Sequence, residues 1–345
     1  MTSTAAPSPG TLRRIASGLV LLFVAVVPPL ALGWLVLGSA SFTLCLFGVM
    51  VGLLNTLIGG VRVGLTGAAL FVLLAPVALT VGAEPVAGAA LMAVVCLFVG
   101  GGALWRRYSG FFEIPLGMIY LMTLPETQTS EIAAKTGVLG LLVTAMLATG
   151  VSALWAVAGV RVLRADKDVP LSAKNPKRDT VAYTVIMTTL VSLSTLYVLT
   201  FALDTHGEWL VLTLFMVLQI GPGATTERAF HRVWGTIAGA MVAAALATVV
   251  TSQWLLLGLV VVALLGTLGR LGRGPYWLYT FFLTNVILLG TTPAAQAVTT
   301  SLERVGYTVA AAVLSLLAIG AYELFWRPTS PPRGNTTAGA PAPVS

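Results

Sequence analysis

Polar residues punctuate this chain and do not alternate with apolar ones. Apolar runs, most of them about 16 to 25 residues and so long enough to cross a hydrocarbon core as helix, follow one another from residue 15 to residue 326. They lie at 15–37, 40–59, 63–81, 86–104, 110–124, 136–160, 180–203, 208–220, 229–250, 253–269, 275–290 and 303–326. Short charged or Gly/Pro-rich breaks separate them. The pattern predicts an all-α polytopic membrane protein of about twelve transmembrane helices. Pro28 and Pro29 interrupt the first run and Pro115 the short fifth one, where the helix ladder opens locally. The polar stretches 125–135 and 204–208 read as loops, and Gly221-Pro222-Gly223 reads as a break before the ninth run.

The long polar stretch inside the chain is 161–179, with six Lys/Arg, three Asp and two prolines. It divides the chain into a first membrane block (15–160) and a second (180–326), with 1–14 and 327–345 expected as disordered cytoplasmic ends. The stretch is too short to be a domain and reads as a cytoplasmic linker. Arg13 and Arg14 before an apolar run resemble a signal-peptide start, but the run is too long and lacks a small-residue cleavage site, so it reads as a retained span.

Composition agrees with the pattern. The chain is 57% hydrophobic and 9% charged, against roughly 25% charged in soluble domains. The pI near 9.7 does not point to nucleic acid, because the cations sit in short loops. With the N-terminus in the cytoplasm and twelve crossings, only Lys135 and Arg304 of the 19 Lys and Arg fall outside, as the positive-inside rule requires. Cys45 and Cys96 lie in apolar runs and predict no disulfide. His206 and His231 fall on opposite sides, so they cannot share a metal, and no cofactor is expected.

The two blocks read as repeats. Arg62 precedes Thr66, Gly67 and Ala68 much as Arg232 precedes Thr236, Gly239 and Ala240, and Lys135 opens the sixth run as Arg304 opens the twelfth. Six spans per block is even, which predicts parallel repeats about an axis normal to the membrane.

The most distinctive stretch is Gly221 to Val249. Arg232, Gly235, Thr236 and Gly239 share one helical face there, offering a cation at the membrane edge, a hydroxyl, and a smooth strip for another helix. RVWGTIAGA (232–240) resembles the R-x-x-G-T-x-x-G-A signature of the fusaric acid resistance type proteins, the aromatic acid exporter family. GPGATTERAF before it and the last span (303–326) resemble the same family, best over 180–326. The resemblance implies proton-driven export of aromatic carboxylic acids. Family members carry a cytoplasmic domain after six spans, and here only the 161–179 linker stands in its place.

Candidate residues follow from the chemistry of an anion path. Arg232, Arg228 and His231 gather an anion at the cytoplasmic mouth or serve topology alone, and Arg62 has the same two readings. Thr236 faces a pore or bonds back to its own helix. Gln219, Asn55 and Asn285 are span amides that need partners. Gly235, Gly239 and Gly67 read as helix-packing residues. Tyr276, Trp277, Tyr279, Phe281 and Phe282 form either an interfacial belt or a wall for an aromatic ligand. Glu113 is either a proton-coupling acid inside the membrane or an interfacial carboxylate beside Arg106 and Arg107. No nucleotide-binding or nucleophile motif occurs. The sequence therefore reads as an inner-membrane permease, not an enzyme, exporting small organic anions. A passive anion channel and a non-transporting subunit of an envelope complex are the alternatives. The expected partners are the bilayer and the anion. A homo-oligomer and an envelope efflux partner are left open, and nucleic acid is not expected.

Overall fold

The computed structural model describes residues 18–37, 41–104, 111–124, 126–163, 177–220, 222–270 and 275–325, apart from 19, 22, 112, 251 and 293. The expected disordered ends, most of the linker, Arg106 and Arg107 lie outside the described residues. Those described are helical, with short connections. In chain order the helices are α1 (Val27–Leu37), α2 (Ser41–Val81), α3 (Pro85–Leu104), α4 (Glu113–Met122), α5 (Glu126–Val162), α6 (Lys177–Phe201), α7 (Glu208–Val217), α8 (Pro222–Val249), α9 (Gln253–Arg270), α10 (Tyr276–Thr291) and α11 (Ala297–Phe325). Helix is what an apolar chain must form in lipid, since only helices satisfy their own backbone there. Six of these segments are long and apolar enough to cross a bilayer: Ser41–Val81, Pro85–Leu104, Thr136–Val162, Lys177–Phe201, Gly223–Val249 and Ala297–Phe325.

The longest helix is two helices in one. Gly60, at φ 78° and ψ 176°, takes a backbone conformation nearly confined to glycine, costing other residues about 1–3 kcal/mol, and α2 folds back there. The fold-back brings Gly64 against Thr56 and Gly67 against Asn55. Two arms of about twenty residues result. Gly137, at φ 74°, breaks α5 in the same way. The stretch 126–136 ahead of it is helix and not the loop its polarity predicts. Ile132, buried in the core, anchors that piece. Pro222 and Gly223 of the expected break are likewise helical: Pro222 opens α8, where its missing N–H costs nothing. Pro28 and Pro29 fall in the first turn of α1 for the same reason.

Two short helices occupy the centre. Every residue of α4 but Tyr120 is buried, and α7 is buried from Trp209 to Phe215 and again at Val217. Ten residues of helix span about 15 Å, half a hydrocarbon core. The runs 110–124 and 208–220 therefore supply half-length helices that the longer ones enclose. α4 packs on α2, α3 and α7, while α7 packs on α6, α8 and α11. The core around them joins Phe47, Phe71, Met92, Met118, Met187 and Leu214.

Around this centre, backbones approach closely. α2 lies along α5, and a side chain at Gly48 or Gly52 would run into the backbone of Thr149 or Ala153. Gly117 of α4 faces the Phe71 ring in the same way. We predict that Gly52→Leu forces α2 from α5 and costs at least about 1–3 kcal/mol. Gly101→Leu, whose Cβ meets nothing within 4 Å, does not lower stability. Thermal unfolding of the two variants in detergent checks this.

Candidate functional site

The site is built on α8. Its start is fixed by Thr225, whose hydroxyl accepts from the Gln219 N–H (3.0 Å) and donates to the Gln219 carbonyl (3.1 Å). The Gln219 amide itself donates to the Leu218 carbonyl at 2.6 Å. Gln219 thus ties down the turn between α7 and α8. Because the helix begins at Pro222, Arg232 lies about 15 Å along it. The sequence places that cation at the membrane edge, and in the structure its side chain is enclosed by protein, 0% exposed.

The inward face of α8 carries Arg232, Gly235, Thr236, Gly239, Ala240 and Ala243, all buried. α10 lies against the glycines. A Cβ on Gly235 would meet the Trp277 carbonyl and Thr280, and one on Gly239 would come within 2.8 Å of the Phe281 carbonyl and 2.9 Å of Thr284. These glycines serve helix contact. The same contact carries polar groups inward. The Thr236 and Thr284 hydroxyls and the Asn285 Oδ1 are buried without a hydrogen bond, while the Asn285 amide donates to the Phe281 carbonyl (2.9 Å). Thr236 does not bond back to its own helix.

Arg232 is the unusual member. Its Nε and Nη1 are buried and have no hydrogen-bond partner. Burying guanidinium N–H groups without acceptors costs several kcal/mol. Tyr279 of α10 lies where Arg232, Arg228 and Glu113 all act on it. Its ring stacks on Tyr276 at 5.7 Å, and the Arg228 guanidinium lies 4.9 Å from the Tyr276 ring centre. Two of the five aromatics at the start of α10 therefore belong to the site. Trp277 is 39% exposed.

Glu113 opens α4 and is 1% exposed. Neither carboxyl oxygen makes a hydrogen bond. Asn55 stands beside it, with its amide donating to the Val51 carbonyl (2.9 Å) and its Oδ1 unbonded. Gly67 faces that Asn55 amide at 2.9 Å from where its Cβ would sit. His231 is half-buried next to Arg232. Arg62 is exposed on the second arm of α2 and does not join this group.

A second buried cation joins the group from α11. Arg304 is 1% exposed and lies 4.9 Å from the centre of the Trp209 ring. The Trp209 indole donates to the Tyr120 hydroxyl at 3.1 Å, and Tyr120 feels both Arg304 and Arg232. Sequence reasoning passes over Arg304, Trp209 and Tyr120 as site residues. A signal existed for the first: Arg304 is one of two cations that the positive-inside count leaves on the outer side. Among the described residues no group of three His, Cys, Asp or Glu could hold a metal ion.

Arginine, glycine, threonine and glycine in this register on one buried face carry the resemblance noted above. Residues 189–318 match the family described as fusaric acid resistance protein-like. The matched segment contains Trp209, Arg232, Thr236 and Arg304, whereas Glu113 and Tyr120 lie before it. No curated protein and no solved structure matches the chain. The family match and the apolar helices make this a multi-pass membrane protein.

The unbonded hydroxyl of Thr236 gives a direct check. A methyl in its place leaves no polar group unsatisfied, so Thr236→Val should keep or raise the melting temperature. Thr225→Val, which removes both bonds to Gln219, should lower stability by about 1–3 kcal/mol. Melting curves of the two variants in one detergent decide it.

Proposed function

We propose that the chain is an inner-membrane permease of twelve helices in two six-helix repeats, with both termini cytoplasmic. It exports small organic anions, aromatic carboxylic acids foremost, by proton-coupled efflux. The observation that carries this reading is Arg232: a fixed cation, fully buried, with unbonded nitrogens, inside the fusaric acid resistance-like segment. Charge buried inside membrane helices marks a substrate or ion path, and the acceptor such a guanidinium lacks is what a carboxylate supplies. Arg228 over Tyr276, less than two turns nearer the start of α8, is a station on the way in.

Packing supports the repeats. α1 meets α2 and α5, and α2 meets α4 and α5. In the second half α6 meets α7 and α11, α8 meets α10, and α11 takes both α7 and α8. Counting the two arms of the α2 hairpin separately, the 18–37 segment that contains α1 once, and both pieces of α5 as one span raises the eleven labelled helices to twelve. The buried faces come into register 172 positions apart, as Gly64 with Thr236, Gly67 with Gly239, Ala68 with Ala240 and Ala75 with Ala247. That register sets Gly60, not Arg62, against Arg232. The anion path is accordingly lined by cations from the second repeat, and Arg62 is left to topology.

Glu113 is the group we assign to the proton. It is a carboxyl buried with no hydrogen bond to a cation, acting with Arg232 on the same Tyr279, on a half-length helix whose end is enclosed by others. Half-length helices with buried ends are where transporters place coupling groups.

Two outcomes are expected. Cells expressing Arg232→Ala should lose resistance to aromatic acids, with efflux down by about tenfold or more, while Arg62→Ala retains it. Equal resistance at equal expression would remove Arg232 from the path. In proteoliposomes, Glu113→Gln should let benzoate equilibrate but not accumulate in response to an imposed pH gradient. Wild-type flux that follows voltage and ignores the pH gradient would instead identify a channel.

A further inference from the structure

Arg304 raises a question that the Arg232 path leaves unanswered. Its Nε, Nη1 and Nη2 are all buried, and none has a hydrogen-bond partner. The groups acting on its charge are Arg232, Tyr120 and Glu208, the first of which is another cation. Glu208, at the start of α7, accepts no hydrogen bond from it. The ring of Trp209 covers one face of the guanidinium, which offsets part of the missing hydration but accepts none of the N–H groups along the edge.

The surroundings define what fits that edge. The Trp209 indole is held by its bond to Tyr120, and because Tyr120 accepts there, its own O–H remains available to donate. Tyr120 is braced by Phe47 at 5.0 Å between ring centres. Trp209 packs with Ala240, Ala243 and Leu288, and Tyr307 borders the same cluster. Apart from the Glu208 carboxylate, the free polar groups at that edge are donors, and the walls are apolar. A planar, acceptor-only anion with an apolar body satisfies both: the carboxylate takes the fork of the guanidinium and the body lies against the cluster.

We propose that Arg304, with Trp209 and Tyr120, forms a second internal binding station for a hydrophobic carboxylate, beyond the one at Arg232. Its place in a transport path rests on the permease reading, whereas its binding chemistry does not. Arg232 and Arg304 repel each other when both are bare, so an anion on either relieves the pair. The two stations then favour one occupant that passes between them over two held at once.

The test uses the full chain in nanodiscs, with benzoate as probe and benzamide and chloride as controls, followed by calorimetry. Wild type should bind benzoate, fail to bind benzamide, and bind chloride far more weakly. Arg304→Gln should weaken benzoate by more than about tenfold. Arg304→Lys, which keeps the charge and loses the fork, should fall between. Full benzoate affinity in a folded Arg304→Gln overturns the station, and so does chloride binding as tight as benzoate. If Arg304→Gln does not fold, Tyr120→Phe decides: a loss of about threefold or more supports the station, and unchanged affinity overturns it. Benzoate binding that depends on Arg304, with no flux in wild-type liposomes, would leave the station standing and remove the permease. Flux together with full affinity in Arg304→Gln would do the reverse.

Discussion

The backbone-to-backbone approach of small residues is the constraint on which the rest of the molecule depends. In lipid there is no water-driven collapse to pull helices together, so contact itself must stabilise the bundle. Gly48 and Gly52 let α2 lie on α5, and Gly235 and Gly239 let α8 lie on α10. The two ten-residue helices rest on members of these pairs, α4 on α2 and α7 on α8. Those enclosed helices bring Glu113, Tyr120 and Trp209 into the interior. The packing residues and the charged residues are therefore parts of one arrangement: the same face of α8 that carries the glycines also carries Arg232 inward.

Much of this was legible in the sequence. Runs of uniform apolarity can only be helix in a membrane, and the spacing of Arg232, Gly235, Thr236 and Gly239 puts them on one face, which is the face turned inward. The burial of Arg232 was not legible. Polar composition made 221–228 look like a break, yet Pro222 is a good first residue of a helix, and the helix that starts there runs well before the arginine, which packs inside the bundle. The helix at 126–136 was hidden for a related reason, since polarity there masks a segment anchored by Ile132. Gly60 looked like one glycine of many, and its role shows only when the two arms of α2 are seen to touch.

The group around Arg304 was illegible in a stronger sense. Tyr120, Trp209 and Arg304 come from three helices separated by some ninety residues each, and no local pattern links them. What the sequence did contain was an exception: a cation on the side where cations are scarce. Exceptions to the charge rule are informative in membrane proteins because a buried charge must be compensated by something. Arg62 and Arg232 look alike in sequence, but Arg62 is exposed and Arg232 is buried, a difference that residue type alone does not carry.

The bond between Trp209 and Tyr120 has a consequence for how the halves of the molecule sense one another. Tyr120 belongs to the first half of the chain and Trp209 to the second, and the two meet through a hydrogen bond whose strength falls steeply with misalignment. A sliding of α4 past α7 by a fraction of a residue would break that bond, release the indole and strip Arg304 of its aromatic cover in the same step. The indole is thus an alignment latch. Its bond to Tyr120 ties the alignment of α4 and α7 to the aromatic cover over Arg304.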